Sequence, residues 1–237
     1  MADSNEFLLK SQGFCHCCRG DTTFRSNHAW LRDNYLCLNC GSLPRERHLQ
    51  KVLDTLFKGW ENKKIHESSP SNNLLRQFCG MNYSRSQLSN DQGSSSYDID
   101  TLSENLEFLS FPDDTFDLFI TKDVLEHVFN PDIAIREIMR VLRPGGAHVF
   151  TTPKHRSMTN SAPRATLNDG LVVYLKEEDY HGNPVGDGRA LVTWDYGADF
   201  EALLLSWSGY QTETILPRTN KLGIDGEYLE VFVTRKV

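Results

Sequence analysis

Five of the six cysteines of this 237-residue sequence fall within its first 40 residues, and four of them form two C-x2-C pairs. Cys15 pairs with Cys18 and Cys37 pairs with Cys40, and 18 residues separate the two pairs. Thiolates at this spacing are typical ligands of Zn²⁺, which prefers four ligands in a tetrahedron. Because four protein ligands leave no open coordination position, the pattern predicts a structural zinc that holds residues 1–44 together as a small zinc ribbon.

Other donors lie close to this pattern. Cys17 could replace either member of the first pair, whereas His16 and His28 are weaker candidates as ligands. The alternative to a zinc site is a set of free thiols in a reducing compartment. No apolar run approaches the ~20 residues of a membrane span, and the first ten residues lack the basic and apolar regions of a secretory signal. We therefore expect a cytoplasmic protein, in which clustered cysteines favour metal binding over disulfides.

Composition and charge narrow the class of partner. The sequence is 39% hydrophobic and 24% charged, which excludes disordered and fibrous proteins. Its 25 Lys and Arg against 32 Asp and Glu give a net charge of −7. Proteins that bind nucleic acid usually carry a basic face, so we expect a small-molecule partner instead. The sequence contains no pattern that sets an oligomeric state.

Residues 106–153 contain the elements that position the remaining candidates. An apolar strand, a helix and a second apolar strand follow one another at the spacing of a βαβ unit, which predicts a parallel sheet. In the helix, Asn130 can cap the first turn, Pro131 suits the first position, and Pro144 with the two glycines after it predicts the end. The sequence therefore indicates an α/β fold.

Flanking segments extend this pattern. Apolar residues at helical spacing predict a helix from Arg45 to Phe57 and a later one over Ala198–Ser206. The segments GYQTETILP and GEYLEVFVTRK predict two terminal strands.

The segment FPDDTFDLFITKDVLEHVFNPDIAIREIMRVLRPGGAHVFTTP resembles the strand 4–helix–strand 5 region of class I S-adenosylmethionine-dependent methyltransferases. This match covers roughly residues 104–153, and CGSLPRER resembles the junction of a subgroup in which a zinc ribbon precedes the methyltransferase domain. With the terminal strands, the resemblance covers most of residues 15–237. It implies a doubly wound, Rossmann-like, seven-stranded sheet with an antiparallel last strand over residues 45–237, and S-adenosylmethionine as the cofactor.

The resemblance also implies a cofactor site beyond the carboxyl ends of the strands. The glycine-rich loop that follows strand 1 in the family corresponds here to KKIHESSPSN, which contains no glycine. In this comparison His66 stands where the family has an acid that holds the methionine amino group, and Ser68 and Ser69 stand in a loop where positive φ is costly for any residue with a Cβ. The other implied cofactor contacts are Glu67 in the same loop, Gln87 after strand 2, Asn105 and Leu106 around the adenine, and Thr121, Lys122 and Asp123 after strand 4. A purely structural loop is the alternative for this segment.

Two histidines are candidate general bases. His181 has suitable chemistry because imidazole titrates near neutral pH, and Asp195 could orient its ring. Alternatively, His181 caps a turn formed by Gly182–Pro184. His127, which directly follows strand 4, is the second candidate, while we expect Glu126 to tie the start of the helix to a neighbouring strand.

The predicted function is methyl transfer to an oxygen or nitrogen atom of a small molecule, such as a carbohydrate or natural product. Residues 154–197 form an insertion longer than a simple connection, and we expect it to cover the substrate. Two alternatives remain open at this point. One is a zinc-ribbon scaffold protein on a degenerate methyltransferase fold, and the other is an S-adenosylmethionine-binding enzyme with non-methyl chemistry.

Overall fold

The structure, a computed structural model, describes residues 8–88, 100–182, 188–217 and 220–237. In chain order the strands are β1 (Leu9–Cys15), β2 (Gly20–Ser26), β3 (Leu36–Cys37), β4 (Ile65–Ser68), β5 (Tyr83–Gln87), β6 (Thr101–Ser103), β7 (Phe116–Lys122), β8 (Leu142–Thr151), β9 (Ala162–Pro163), β10 (Ala165–Asn168), β11 (Leu171–Tyr174), β12 (Tyr180–Gly182), β13 (Arg189–Leu191), β14 (Trp194–Asp195), β15 (Thr212–Ile215) and β16 (Val231–Arg235). The helices are α1 (Leu31–Asn34), α2 (Pro44–Leu56), α3 (Pro131–Val141) and α4 (Phe200–Ser208), with 3₁₀ turns at Trp60–Asn62, Arg76–Phe78, Leu125–His127 and Asn220–Leu222.

Seven strands form the central sheet, in the order β15-β16-β8-β7-β4-β5-β6. Strands β6, β5, β4, β7 and β8 pair in parallel, whereas β16 pairs antiparallel with both β8 and β15. This topology confirms the predicted Rossmann-like sheet with an antiparallel last strand. Parallel strands are covered on both faces, which explains the continuous apolar run of β7.

Helices cover both faces of this sheet. Alternate residues of β7 point to opposite sides, so Phe119 joins one core with α3 and α4 while Leu118 and Ile120 join another with α2. The first core includes Ile138 of α3, and the second includes Leu53 of α2. The two cores give the doubly wound architecture.

The predicted helices are confirmed, with differences at the ends of α3. Pro131 takes the first helical position, but the Asn130 side chain does not cap the helix. Its amide donates instead to Glu107 Oε2 at 2.7 Å, and its backbone N–H donates to Glu107 Oε1 at 3.0 Å. The prediction of an Asn130 side-chain cap was therefore wrong, because a carboxylate on the neighbouring loop is a stronger partner for that amide.

The segment Pro144–Gly146 does not stop α3 either. The helix ends at Val141, and β8 already begins at Leu142 and runs through the two glycines. A Cβ on Gly146 would lie 2.9 Å from the Arg143 oxygen and 3.1 Å from that of Asp117. Gly146 is thus required for the close approach of β8 to β7, beside the register shift of that pair.

The N-terminal segment forms its own antiparallel sheet of β1, β2 and β3, but it contacts the central domain. Arg47 of α2 is fully buried, and its guanidinium donates to the carbonyl oxygens of Ser42, Tyr35 and Gly223. It also lies over the Phe24 ring, 4.7 Å from the ring centroid. One side chain therefore joins the ribbon to the C-terminal part of the chain.

Residues 154–197, as far as they are described, contain short strand pairs above the carboxyl edge of the sheet. Thr193 donates its backbone N–H to the Glu126 oxygen at 2.7 Å and its hydroxyl to the Val128 oxygen at 2.8 Å. These bonds attach the insertion to the segment that follows β7. Two residues of the predicted Gly182–Pro184 turn lie outside the described residues.

Among the described residues, the structure contains no helix with both the length and the apolar character needed to cross a membrane.

Candidate active site

A cleft of about 1280 Å³ lies beyond the carboxyl ends of the parallel strands. This is where ligands bind in open α/β sheets, and the volume exceeds the ~300–1,000 Å³ of most small-molecule pockets. Three parts of the chain form its walls: the ends of the sheet strands, the insertion, and residues of the N-terminal segment that include Trp30 and Arg32. The cleft is therefore large enough for two ligands at once.

Most of the predicted cofactor contacts meet in this cleft. Those that line it are Ser68 and Ser69 at the end of β4, Gln87 at the end of β5, Asn105 and Leu106 after β6, and Lys122 and Asp123 at the end of β7. Three other predicted contacts, His66, Glu67 and Thr121, do not line it. Each of those three side chains is fully buried and has a polar partner inside the protein.

His66 lies within β4 and not in a loop after it. Its ring nitrogens lie 2.9 Å from the hydroxyls of Ser84 and Ser86, and three phenylalanine rings surround the imidazole. Burial lowers its pKa to about 3, so the ring is neutral. The predicted contact of His66 with the methionine amino group was wrong, because the strand continues to Ser68 and directs this side chain into the core.

Glu67 is enclosed by its own partners. Lys122 Nζ lies 2.8 Å from Glu67 Oε1, and the Tyr83 hydroxyl donates to Glu67 Oε2 at 2.5 Å. Burial alone would lower the pKa of Lys122, but the charge of Glu67 raises it above the ordinary lysine value. Thr121 also faces inward, with its hydroxyl 3.0 Å from His148 Nε2. The acid of β4 thus sits under the cleft, neutralised by the lysine of β7.

Two strand ends at the cleft adopt a left-handed backbone without glycine. Ser69 has a φ of 51° and Asp123 a φ of 54°. Such conformations cost of order 1–3 kcal/mol in non-glycine residues and cluster at functional sites. Ser69 therefore holds a backbone conformation that glycine would adopt more easily. Its N–H donates to the Ser86 oxygen at 2.7 Å, which helps to fix that conformation.

Sequence reasoning missed the arginines that grip Asp123. Arg32 Nη2 lies 2.7 Å and Arg45 Nε lies 2.8 Å from Asp123 Oδ2. Burial opposes ionisation here, but the two guanidinium groups hold the pKa of Asp123 below its usual value. Arg45 belongs to CGSLPRER, so this motif itself was the available signal. The N-terminal segment thereby reaches the end of β7.

Beside Asp123, three side chains converge in one corner of the cleft. His127 Nε2 and His181 Nδ1 each lie 3.9 Å from Glu126 Oε1, and the two imidazole rings meet edge to face at 5.2 Å. Burial, and then the charge of Asp123, raises the pKa of Glu126 to about 8. Burial lowers the pKa of both histidines, so they are neutral near pH 7. The corner contains unprotonated nitrogen atoms that can accept a proton or bind a ligand.

Glu126 also makes the connection to a neighbouring strand that the sequence predicted for it. Thr152, directly after β8, donates its hydroxyl to Glu126 Oε2 at 2.9 Å.

Asp195 does not orient His181. Its carboxylate lies 3.0 Å from Arg164 Nη1 and 2.8 Å from Lys176 Nζ. Burial opposes the ionised form, but these two cations keep the pKa of Asp195 below its ordinary value. In the part of the chain that the structure describes, no ion pair joins His181 to Asp195. The predicted His–Asp pair was wrong, because the insertion supplies its own cations to the aspartate.

The four cysteines of the two C-x2-C pairs lie together, with their sulfur atoms all within 4.8 Å of one another. The Sγ atoms of Cys15 and Cys40 are 3.8 Å apart, and those of Cys18 and Cys37 are 3.9 Å apart. A tetrahedron with Zn–S bonds of ~2.3 Å places its sulfurs about 3.8 Å apart, so the group fits this metal. Cys17 is buried but is not part of the group.

Neighbouring residues support the cysteine group. Gly41 adopts a φ of 71° and donates its N–H to the Cys37 oxygen at 2.8 Å, which shapes the second knuckle. The Ser42 hydroxyl lies 3.2 Å from Cys40 Sγ. His16 and His28 have other partners, since His16 Nδ1 bonds Asp54 at 2.8 Å and His28 Nδ1 accepts the Trp30 N–H.

Comparisons with known proteins agree with this geometry. The family described as "Methyltransferase domain" matches residues 66–150, which run from β4 to β8. An uncharacterized methyltransferase of Schizosaccharomyces pombe is 32% identical over 96 residues, or 40% of this chain and 34% of that protein. The ubiquinone/menaquinone biosynthesis C-methyltransferase UbiE of Shewanella frigidimarina is 44% identical over 57 residues, or 23% of each chain. The chain thus spans about a third or less of the length of these relatives.

Solved structures extend the likeness beyond the matched segment. An S-adenosylmethionine-dependent methyltransferase from Mesorhizobium loti has a TM-score of 0.51 and 17% identity, covering 79% of this chain and 97% of that one. DesVI of Streptomyces venezuelae also has a TM-score of 0.51, with 13% identity, and the match covers 81% of this chain and 92% of that one. At these identities the likeness concerns the fold. Residues 66–150 thus match the methyltransferase domain family, and the chain shares the fold of these two solved structures.

Proposed function

We propose that the protein transfers the methyl group of S-adenosylmethionine to an oxygen or nitrogen atom of a small molecule. The observation that carries this proposal is the cleft at the carboxyl edge of the matched domain, with a neutral histidine pair in its wall. Names of relatives do not settle the acceptor atom, since UbiE is a C-methyltransferase and a relative from Rauvolfia serpentina is a norajmaline N-methyltransferase. The choice of oxygen or nitrogen rests on the histidines.

The cofactor would lie along the strand ends. Gln87 would hydrogen-bond the ribose hydroxyls, Asn105 the adenine amino group, and Leu106 would pack on the adenine ring. All three line the cleft, and Leu106 is 94% buried as part of the α3 core, which makes it a firm surface for a ring. Ser68 and Ser69 would approach the methionine end of the cofactor. Glu67 is already paired with Lys122, so its carboxylate would act on the cofactor only through that lysine.

Methyl transfer is an in-line displacement, to which the protein contributes mainly positioning. When bound, S-adenosylmethionine would supply the methyl group: the acceptor oxygen would bond to its carbon as the carbon–sulfur bond broke with its electrons on sulfur, and S-adenosylhomocysteine would be released. The hydroxyl proton must depart as the new bond forms. His181 or His127 would accept it, since both are neutral and line the cleft.

A structural zinc on Cys15, Cys18, Cys37 and Cys40 belongs to the same proposal. Four buried or half-buried sulfurs at tetrahedral spacing support it. The metal would stabilise the folded segment that carries Arg32. The guanidinium of Arg32 forms an ion pair with Asp123 in the cleft. The zinc would therefore act at a distance from the reaction.

One experiment separates this function from its rivals. Isothermal titration calorimetry with S-adenosylmethionine and S-adenosylhomocysteine should give one site per chain. Gln87→Ala should weaken binding about tenfold through loss of a hydrogen bond of ~1.5 kcal/mol. The matched control is Asn82→Ala, which removes an exposed amide just before the opposite end of β5 and should bind like the wild type.

The results have distinct meanings. Absence of binding at saturating cofactor would favour a scaffold protein in which the glycine-free loop and the Glu67–Lys122 pair have replaced the cofactor contacts. Binding without methyl transfer to any oxygen or nitrogen acceptor would favour non-methyl chemistry.

A further inference from the structure

We infer that Glu126, His127 and His181 form a second metal site, which binds a divalent first-row transition-metal ion in the wall of the cleft. Each side chain offers one ligand atom, and these atoms all lie within 4.8 Å of one another. Only the role of this ion in methyl transfer rests on the proposed function. The binding itself is argued from the three side chains.

The separations are close to those of a bound ion. Both His127 Nε2 and His181 Nδ1 lie 3.9 Å from Glu126 Oε1. Ligands at ~2.1 Å from a metal lie about 3.0–3.4 Å from one another in octahedral or tetrahedral geometry. The three ligand atoms lie within 4.8 Å of one another, so side-chain movements of about 1 Å would complete the site, and the half-exposed His181 has room to move.

Glu126 supplies the observation that points to a ligand. The residue is 99% buried, yet its Oε1 atom has no hydrogen-bond partner among the described residues. Its Oε2 atom is taken by the Thr152 hydroxyl at 2.9 Å, which fixes the carboxylate with Oε1 toward the two histidines. A buried carboxyl oxygen without a hydrogen-bond partner is costly, and a cation between it and the imidazoles would remove that cost.

His127 is oriented as metal-binding histidines usually are. Its Nδ1 lies 2.8 Å from the Leu191 oxygen, and because a carbonyl only accepts, Nδ1 must carry the proton. This leaves the lone pair on Nε2, the atom that faces Glu126. A backbone carbonyl that fixes the tautomer in this way is the common outer partner of a metal-bound imidazole.

The donor set indicates the class of ion and its use. Two imidazole nitrogens and one carboxylate suit Zn²⁺, Fe²⁺ or Mn²⁺ better than Mg²⁺ or Ca²⁺, and three protein ligands leave positions open toward the cleft. A hydroxyl acceptor bound there would lose its proton to solvent more easily, and its oxygen would then take the methyl group from the sulfonium. With the ion bound, the histidines would hold it, and the ion would take over from them the activation of the hydroxyl.

The test uses Mn²⁺ as the probe, because manganese prefers oxygen and nitrogen donors and does not compete for a closed four-thiolate site. Purified full-length protein is titrated with Mn²⁺ and free ion is followed by electron paramagnetic resonance, without cofactor or acceptor. The wild type should bind one Mn²⁺ per chain. His181→Ala and Glu126→Gln should each lower the affinity at least tenfold. His155→Ala is the matched control, since this histidine also lines the cleft but lies outside the cluster, and its affinity should equal that of the wild type.

The outcomes are separable from those of the cofactor experiment. The His181 side chain is 42% exposed, so its removal should leave the thermal midpoint unchanged and a loss of Mn²⁺ binding cannot be attributed to unfolding. No Mn²⁺ binding by the wild type, or equal binding by His181→Ala, would overturn the inference. Mn²⁺ binding in a protein that fails to bind S-adenosylmethionine would support the site and reject the proposed function.

Discussion

The chain brings together two groups of side chains of the kinds that bind metal ions. Both groups are compact, but they differ in their donor atoms and in their access to the cleft. The four cysteines carry only sulfur donors, lie at the ends of two strands of a small sheet and in the turns that follow them, and have their sulfur atoms within 4.8 Å of one another. The cluster of Glu126, His127 and His181 carries mixed oxygen and nitrogen donors and lies in the wall of a large cleft. A metal site closed by four protein ligands suits a structural role, whereas a site with an open coordination position suits ligand binding or catalysis. The kind of donor atom and the access to the cleft, and not the presence of metal-binding side chains alone, thus distinguish a structural site from a reactive one.

The two groups are also connected. Arg32 and Arg45 come from the cysteine-containing segment and its junction, and both grip Asp123, three residues before Glu126. A defect in the first group should therefore reach the second through these arginines, whereas a defect in the second need not affect the first. This asymmetry can be tested.

The largest expected effect is that of Cys37→Ser. Loss of one ligand from a zinc site should remove most of the ~10–16 kcal/mol that such sites contribute to folding, so the N-terminal segment should unfold. Zinc content should fall by one ion per chain, and amide exchange should rise across residues 8–43 while the central sheet stays protected.

Two cysteine variants control this measurement. Cys17→Ser and Cys79→Ser change cysteines outside the group, and both should retain zinc. Zinc loss in Cys17→Ser would move Cys17 into the ligand set, which the sequence alone left open.

An effect on activity, without one on stability, is expected for His181→Ala. The kcat should fall at least ~10²-fold, the range that a positioned base contributes, while cofactor affinity and the zinc of the four cysteines change little. Asp195→Asn is the comparison, because Asp195 binds Arg164 and Lys176 and not His181. A loss of kcat in Asp195→Asn as large as that in His181→Ala would contradict the structural separation of these residues.

The smallest effect concerns acid, which should weaken metal binding by both groups and also the sheet itself. His148 is fully buried in β8, and burial lowers its pKa to about 3 from an ordinary value of 6.5. Below pH 6.5 the unfolded chain takes up a proton that the folded chain refuses, so stability falls as pH falls, by up to ~1.4 kcal/mol per pH unit. The stability advantage of wild type over His148→Gln should therefore shrink by about 1.5 kcal/mol from pH 6.5 to 5. Urea denaturation at both pH values measures this difference. An equal difference in the free energy of unfolding at pH 6.5 and 5 would show that His148 does not cause the loss of stability in acid.

Much of the fold followed from local patterns in the sequence. Each C-x2-C pair needs only a local tight turn to bring its two sulfurs together. The structure brings all four sulfurs together, as the spacing predicted. The apolar periodicity of α3 and the strands on either side predicted the parallel sheet, and the sheet then placed Gln87, Asn105 and Lys122 at one edge. These inferences held because each depends on residues that are neighbours in sequence or at the ends of adjacent strands.

Partner choice, by contrast, was decided by the tertiary structure. The sequence could not show that β4 continues far enough to direct His66 into the core, or that Lys122 would neutralise Glu67. His127 and His181 meet because Thr193 attaches the insertion to the segment after β7, a contact between distant parts of the chain. Sequence periodicity determines which side chains are buried, but only packing determines which buried polar group receives a partner and which, like Glu126, keeps an oxygen without a hydrogen-bond partner among the described residues.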